Sequence, residues 1–418
     1  MRRSFRRHSL LSLLRAARGA QPVPAWSRAE LKPNYDMVIV GGGAQGLATA
    51  YYLARRHGMR KVAVLESGRI GGRGAGGNSA IVHSAARQRE SAALFELSRK
   101  LFESLSSQLN YNLLFTRRGV LHLAFSGAQL DSLARTADAA RHDGISAWMV
   151  PPSEVASLAP LLQGHPHEDL PLLGALWQPN GGLVDGDAVH WAFARMASAL
   201  GVDVIENCAA EEIIAERGRI KAVQTERGPV GSDVVAVTAG SATADLLASV
   251  GIELPLWPHS LQSLVTEPLQ PVIGPALFAG DLDLSLCQTT SGELVAGGLP
   301  DPYPSRSGQG SFLRAEDRAA GALAVFPALG RLRVTRSWTE TVALTPDRAP
   351  LVGPTGIEGL HVNCGWGGDS VRAAPGSGLT FAASIAVGRP HHLLRPFAPE
   401  RFAFGRFVDE RPLPELAP

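Results

Sequence analysis

An α/β fold is predicted for this 418-residue sequence: a Rossmann-type parallel sheet, interleaved with an α+β domain built on a mostly antiparallel sheet. Three observations predict it. A short apolar run at 35–40 empties into a glycine turn and then a helical pattern. Strand-to-glycine junctions recur far downstream, at 234–240 and 361–368. Between Trp257 and Trp338 apolar residues alternate with period two, punctuated by Pro and Gly. Continuous apolar runs mark strands covered on both faces, whereas alternation marks half-buried antiparallel strands.

Tyr35-Asp36-Met37-Val38-Ile39-Val40 has the composition of a covered strand and delivers the chain into Gly41-Gly42-Gly43-Ala44-Gln45-Gly46. Leu47, Ala50, Tyr51 and Ala54 then recur on one helical face, and Gly58 supplies a stop. Gly41 permits a tight turn, Gly43 lets the backbone approach a pyrophosphate, and Gly46 lets helix and strand pack closely. With 45 glycines in the chain, such spacing alone would be weak. Its context is stronger: Lys61-Val62-Ala63-Val64-Leu65-Glu66 is a second strand ending in a carboxylate about 20 residues beyond Gly46, where an adenosine ribose needs an acceptor.

NAD and FAD share this pattern, and two further segments favour FAD. Residues 68–77 form a glycine-dense loop leading into Asn78 and Ser79. Downstream, 361–368 empties into a loop containing Gly367 and Gly368, and Ala374-Pro375-Gly376-Ser377-Gly378 is expected to open a final helix whose dipole can face flavin oxygens. Gly240, at the remaining junction, is a further candidate contact.

The rest of the chain is read as follows. Helices are expected over 91–109, 128–141 and 187–200, and strands over 119–125, 202–205 and the hairpin-like 211–236. The cofactor domain is therefore assembled from 35–86, 176–250 and 345–390. A substrate domain takes 87–175 and 251–344, between a basic arm at 1–34 and a tail at 391–418.

Composition bounds the function classes. Apolar residues make up 45% and charged residues 19%, as in ordinary globular proteins. The formal charge is +2 and basic residues are dispersed after the N-terminus, which argues against a nucleic-acid partner. Within 1–34, Arg2, Arg3, Arg6, Arg7, Arg15, Arg18 and Arg28 accumulate and no acid precedes Glu30. That segment reads as a solvated arm, a docking arm or a mitochondrial presequence. No run approaches the roughly 20 apolar residues of a membrane span. Cys208, Cys287 and Cys364 lie far apart without ligand-like spacing, so no disulfide framework and no metal site is expected, and a reducing cytoplasm fits best.

Several stretches together carry a family resemblance: Gly46-Leu47-Ala48-Thr49-Ala50-Tyr51-Tyr52-Leu53-Ala54, Leu109-Asn110-Tyr111-Asn112, Arg118-Gly119-Val120-Leu121, Thr345-Pro346-Asp347, Asn363-Cys364-Gly365-Trp366-Gly367 and Pro375-Gly376-Ser377-Gly378. Over nearly its whole length the chain resembles the beta subunit of heterotetrameric sarcosine oxidase, within the wider group of glycine oxidase and D-amino-acid oxidase flavoproteins. The resemblance implies oxidation of a small secondary amine or amino acid, with a hydride passing from the carbon beside nitrogen to FAD and an imine left for water to hydrolyse. It implies partner subunits of alpha, gamma and delta type, with FMN at the interface with the alpha subunit. It also places Gly43, Ala44, Gln45, Glu66, Asn78, Ser79, Ala210 and Gly367 against FAD.

Three departures stand out. Asp185-Gly186-Asp187-Ala188-Val189 replaces the family's Arg-His-Asp-Ala-Val, so the histidine that bonds FMN is Gly186 here and any FMN would be non-covalent; His190, four residues on, reads as a helix-surface histidine. Gly368-Asp369-Ser370-Val371-Arg372 stands for Thr-Gly-Gly-Phe-Lys, which makes Arg372 the first candidate for holding a substrate carboxylate or reduced-flavin charge, with Asp369 opposing it. His83-Ser84-Ala85-Ala86 stands for Arg-Ser-Asn-Tyr, and His83 is a candidate base or donor. Tyr303, Arg348 and His259 are weaker candidates. An opine or amino-acid dehydrogenase subunit, and a flavin-binding subunit without its own catalysis, are the alternative readings.

Overall fold

The structure is a computed structural model that describes residues 26, 27, 29–72, 79–162 and 170–411. One six-stranded sheet runs in the order Leu351–Pro354, Leu360–Cys364, Val235–Val237, Met37–Val40, Val62–Leu65, Asp203–Ile205. Its neighbours are parallel except the first pair. The Met37–Val40 and Val62–Leu65 strands are wholly buried because both faces are covered. Met37, Ile39, Val62 and Val64 pack under Tyr51, Tyr52, Phe193 and Phe381, which belong to the helices Ala44–His57, Gly186–Ala199 and Ser370–Val387. Val38, Val40, Ala63 and Leu65 meet Ile213, Ile220, Val223 and Val230 of a three-stranded antiparallel sheet on the other side. Gly58 ends the first helix in the left-handed region at φ 70, where glycine has no side-chain penalty.

The second sheet has eight strands, in the order Val334–Leu344, Trp257–Thr266, Leu294–Gly297, Leu284–Gln288, Ala276–Ala279, Val120–Ala124, Gly174–Gln178, Trp148–Val150. Ala276–Ala279 and Val120–Ala124 run parallel; the other neighbours are antiparallel. A short ladder, Ser79–Val82 with Gly182–Asp185, runs separately from both sheets.

Four local expectations need correction. The alternating stretch before Trp338 contains a helix, Phe312–Val325: Ser311 caps it, and its buried residues Arg318, Gly321, Ala322 and Val325 follow helical rather than alternating spacing. The final helix opens at Ser370, not at Ala374, so Gly376 and Gly378 lie inside it. Those glycines let helices touch: a Cβ on Gly378 would meet the Ala48 Cβ at 2.6 Å, and one on Gly376 would meet Ser98 Oγ at 2.7 Å. Arg89–Gln108, placed by sequence in the substrate domain, packs on this final helix: Ser98 Oγ donates to the Ala373 carbonyl at 2.8 Å and accepts from the Gly376 N–H at 2.8 Å. Leu94, Phe95, Phe102 and Leu105 accordingly sit in the core of the nucleotide layer. Residues 391–411 are packed rather than trailing, with Leu394 and Phe397 in the same core.

Among the described residues no helix is long and apolar enough to cross a membrane, and no group of three or more His, Cys, Asp or Glu is arranged to hold a metal.

Candidate active site

Val40, Leu65, Thr238 and Asn363, at or next to the carboxyl ends of four sheet strands, line a cavity of about 470 Å³. Open α/β sheets bind their ligands at this edge. Gly41 adopts φ +110, and a Cβ there would meet the Thr238 carbonyl oxygen at 2.6 Å. Gly46 stands behind the turn, where a Cβ would meet the Gly41 carbonyl oxygen at 2.1 Å and Thr238 Oγ1 at 2.6 Å. Only Gly43 of this set is open, with nothing within 4 Å of its Cβ position. The open side leads to Ala44 and Gln45, at a helix end whose first N–H groups have no intrahelical acceptor. Glu66 ties the next strand to the turn: Oε2 accepts the Gly42 N–H at 2.9 Å and Oε1 the Gly68 N–H at 2.8 Å.

From this cradle the cavity continues to the second sheet, where Leu261, Ser263, Phe278, Ser285, Gly297 and Glu340 line it. Arg372 lines it as well and is buried. Its Nη1 donates to His83 Nε2 at 2.6 Å and to the His83 carbonyl at 3.2 Å, and its Nε stands 2.7 Å from Asp369 Oδ1. The guanidinium carbon lies 3.8 Å from the Phe95 ring centroid, a cation–π contact. Because arginine only donates, His83 Nε2 is the acceptor and its proton sits on Nδ1. Burial first, then Arg372 and His122, hold the His83 imidazole well below its ordinary range. The ring is therefore a neutral positioning group for Arg372 and has no free lone pair with which to act as a base.

His122 escaped the sequence reading. It sits in the Val120–Ala124 strand, its ring stacked on Phe278 at 4.8 Å and edge-on to His83 at 5.1 Å. Burial, then Arg372, depress its pKa to about 3, so both histidines are neutral in the folded chain. Unfolded, each takes up a proton near the ordinary value of 6.5. The unfolded state then binds more protons as pH falls below that value, and stability declines down to the folded pKa. Between pH 7 and 5, wild type should lose about 1–2 kcal/mol more than His122→Phe in urea melts. Equal slopes for the two proteins would show that His122 is not buried neutral.

Gly41, Gly43, Ala44, Gln45, Glu66, Ala210, Gly240, Gly367, Gly368, His83 and Arg372 all line this one cavity. Gly46 packs behind it, Asn78 lies outside the described residues, and of Ser79 only the backbone is described, at the start of its strand. The Gln45 side chain is committed elsewhere: it donates to the Ser370 carbonyl at 2.8 Å and accepts from Asn363 Nδ2 at 3.3 Å. Trp366 Nε1 donates to Asn363 Oδ1 at 2.6 Å, which anchors the glycine loop to the same network. His190 is not on the helix surface. It is buried, lines the cavity with Gly186, and donates from Nδ1 to the Gly186 carbonyl at 2.7 Å. Tyr303 is exposed and Arg348 lies away from the cavity, while His259 is a structural histidine bonded to the Asp301 carbonyl at 2.7 Å.

A glycine cradle at the carboxyl edge of a parallel sheet, opening onto a wall that carries a cation and a carboxyl group, defines a dinucleotide-dependent redox enzyme. The DAO family model, FAD dependent oxidoreductase, matches residues 36–384, and the chain belongs to that family. Sarcosine oxidase subunit beta of Arthrobacter sp is 38% identical over 385 residues, covering 92% of this chain and 95% of that one. Sarcosine oxidase subunit beta of Rhizobium meliloti (strain 1021) is 38% identical over 407 residues, covering 97% and 98%. Among solved structures, L-proline dehydrogenase from P. horikoshii shares the fold with a TM-score of 0.83 at 23% identity, over 90% of this chain and 100% of that one. The cofactor is FAD, and the cavity suits it. The open Gly43 side and adjoining helix end fit a pyrophosphate, Glu66 lies where a ribose is held, and the continuous space to Arg372 accommodates the rest.

Proposed function

We propose that this chain oxidises a small secondary amine or N-substituted amino acid of the sarcosine type, as the beta-like subunit of a multi-subunit oxidase. The observation that carries the reading is the buried Arg372 cation on the wall that FAD shares with the second sheet. When bound, FAD supplies the two-electron acceptor for a C–H bond beside nitrogen. Arg372 is held by His83, Asp369 and Phe95, and no described residue accepts a hydrogen bond from its Nη2. That nitrogen is free to orient a carboxylate. Asp369, 2.7 Å from Nε, offsets part of the cation's charge but leaves Nη2 unengaged. Leu261 and Phe278 supply apolar surface to the same cavity.

We infer partner subunits of alpha, gamma and delta type, a reading supported by the 38% identity to chains named subunit beta. Any FMN at their interface is non-covalent, because Gly186 offers no side chain to bond it. A cytoplasmic location agrees with three unpaired, buried cysteines.

The test is anaerobic bleaching of the visible flavin band by sarcosine, proline, glycine or an opine. Reduction by sarcosine or another N-alkyl amino acid is the expected result; reduction only by opines shifts the reading to an opine dehydrogenase subunit. Flavin that none of them reduces, even with partner subunits present, sinks the oxidase assignment. Denatured protein should release all its flavin.

A further inference from the structure

Glu340 is a further ionisable residue of the cavity lining. It belongs to the long strand Val334–Leu344, opposite Leu261 of Trp257–Thr266, and both residues line the cavity. Leu261 faces it across the ladder, and Val342 and Ser263, two residues along the two strands, line the same wall, so what surrounds it there is apolar or carries a hydroxyl. No described residue donates a hydrogen bond to its carboxylate or pairs with it, in contrast to Glu96, which Arg99 and Ser84 satisfy, and Asp347, which Arg401 satisfies. Burial alone raises its pKa to about 7, with no neighbouring charge opposing the shift. A half-buried carboxylate without a partner is costly, and such groups cluster at functional sites. Arg372 lines the same cavity but does not form an ion pair with it. Besides Glu66 and Arg69 at the cradle and Asp369 paired with Arg372, the cavity lining thus includes Arg372 and Glu340, each with bonding capacity unspent on the other.

We infer that Glu340 receives the amino group of the substrate while Arg372 receives its carboxylate, so that the site selects amino acids as zwitterions. This rests on the amino-acid reading above. The Glu340 carboxylate accepts an N–H of the bound ammonium and then takes that proton: the N–H bond breaks, the Glu340 O–H bond forms, and the electron pair stays on nitrogen. A neutral amine with its lone pair in place is the form from which hydride can leave the adjacent carbon. A carboxyl group that titrates near neutrality suits this exchange in both directions.

Two ligands of matched shape, neither of which carries an α-hydrogen, test the inference without turnover. 2-Aminoisobutyrate has the ammonium; pivalate has a methyl group in its place. Their dissociation constants are measured by calorimetry on the flavin-loaded protein. In the parent, the zwitterion should bind at least about 10-fold tighter than pivalate. Glu340→Gln should weaken 2-aminoisobutyrate by about 10-fold or more and leave pivalate within about 2-fold. Glu340→Leu should show the same split and raise the unfolding midpoint, because it removes an unpaired carboxyl group from an apolar wall. Parental affinity for both ligands in both variants, or equal weakening of the two, overturns the assignment of Glu340. A parent protein that carries flavin yet binds neither ligand instead overturns the amino-acid reading beneath it, and the inference with it.

Discussion

Replacing Arg372 with methionine should lower kcat/KM for the amine substrate by roughly 10²–10³-fold while the protein keeps its full visible flavin spectrum. The two readouts separate because Arg372 is held by His83, Asp369 and Phe95, none of which belongs to the glycine turn. Methionine keeps contact with Phe95, so the loss isolates charge and hydrogen bonding from packing. Arg372→Lys should recover only part of the rate: a lysine ammonium restores the charge, but it lacks the planar fork that lies on Phe95, reaches His83 and leaves Nη2 for a ligand. Stopped-flow reduction under nitrogen measures the step directly. Unchanged reduction rates in Arg372→Met would remove this residue from the chemistry, and loss of bound flavin would make it a cofactor-holding residue instead.

The largest stability effect is expected at Asp347. Its carboxylate accepts from Arg401 Nε at 2.9 Å and Nη2 at 2.8 Å, from the Val408 N–H at 3.0 Å and from the Ala349 N–H at 3.2 Å. Both side chains of the pair are only 2% exposed. Asp347→Ala strands a guanidinium with no counter-charge and should cost about 3–5 kcal/mol in denaturant unfolding. Asp347→Leu combined with Arg401→Met should recover much of that loss, because it is the orphaned charge that destabilises. Burial pushes the Asp347 carboxyl up, yet the Arg401 bonds and charge and the two backbone N–H groups outweigh it, and the net shift is down. A carboxylate depressed in the folded state contributes its stability above the ordinary value of 3.8 and loses it as pH falls from there through the folded pKa. A cost under about 1 kcal/mol would mean that water reaches the pair.

The cofactor cradle was legible in the sequence because its geometry is local. Gly41, Gly43 and Gly46, and the acid Glu66, are fixed by one strand-turn-helix-strand unit, and their spacing within that unit places them. Arg372 was legible as a position but not as a buried one, since what encloses it comes from Phe95 and His83, hundreds of residues away in the chain. His122 and Glu340 stayed silent for a related reason. Each is one polar residue in an otherwise ordinary strand: the pairing of Val334–Leu344 with Trp257–Thr266 brings Glu340 to the cavity, and that of Val120–Ala124 with Ala276–Ala279 sets His122 against Phe278, next to His83. The final helix was misplaced by a few residues because Pro375 and the glycines beside it read as a helix opening. They are a contact surface for Ala48 and Ser98. The Phe312–Val325 helix was lost in a stretch punctuated by Pro and Gly whose flanking segments are strands.

The Ser370–Val387 helix lies against both Ala44–His57 and Arg89–Gln108. The first half of the cofactor's seat is thus synthesised hundreds of residues before the element that completes it. Pairing across such a separation is entropically slow, and an emerging chain has nothing to close the glycine turn from the far side. Flavin loading must therefore follow release of the late helix from the ribosome, and any nascent fragment lacking it carries an exposed apolar face that invites chaperones before it can attract a cofactor.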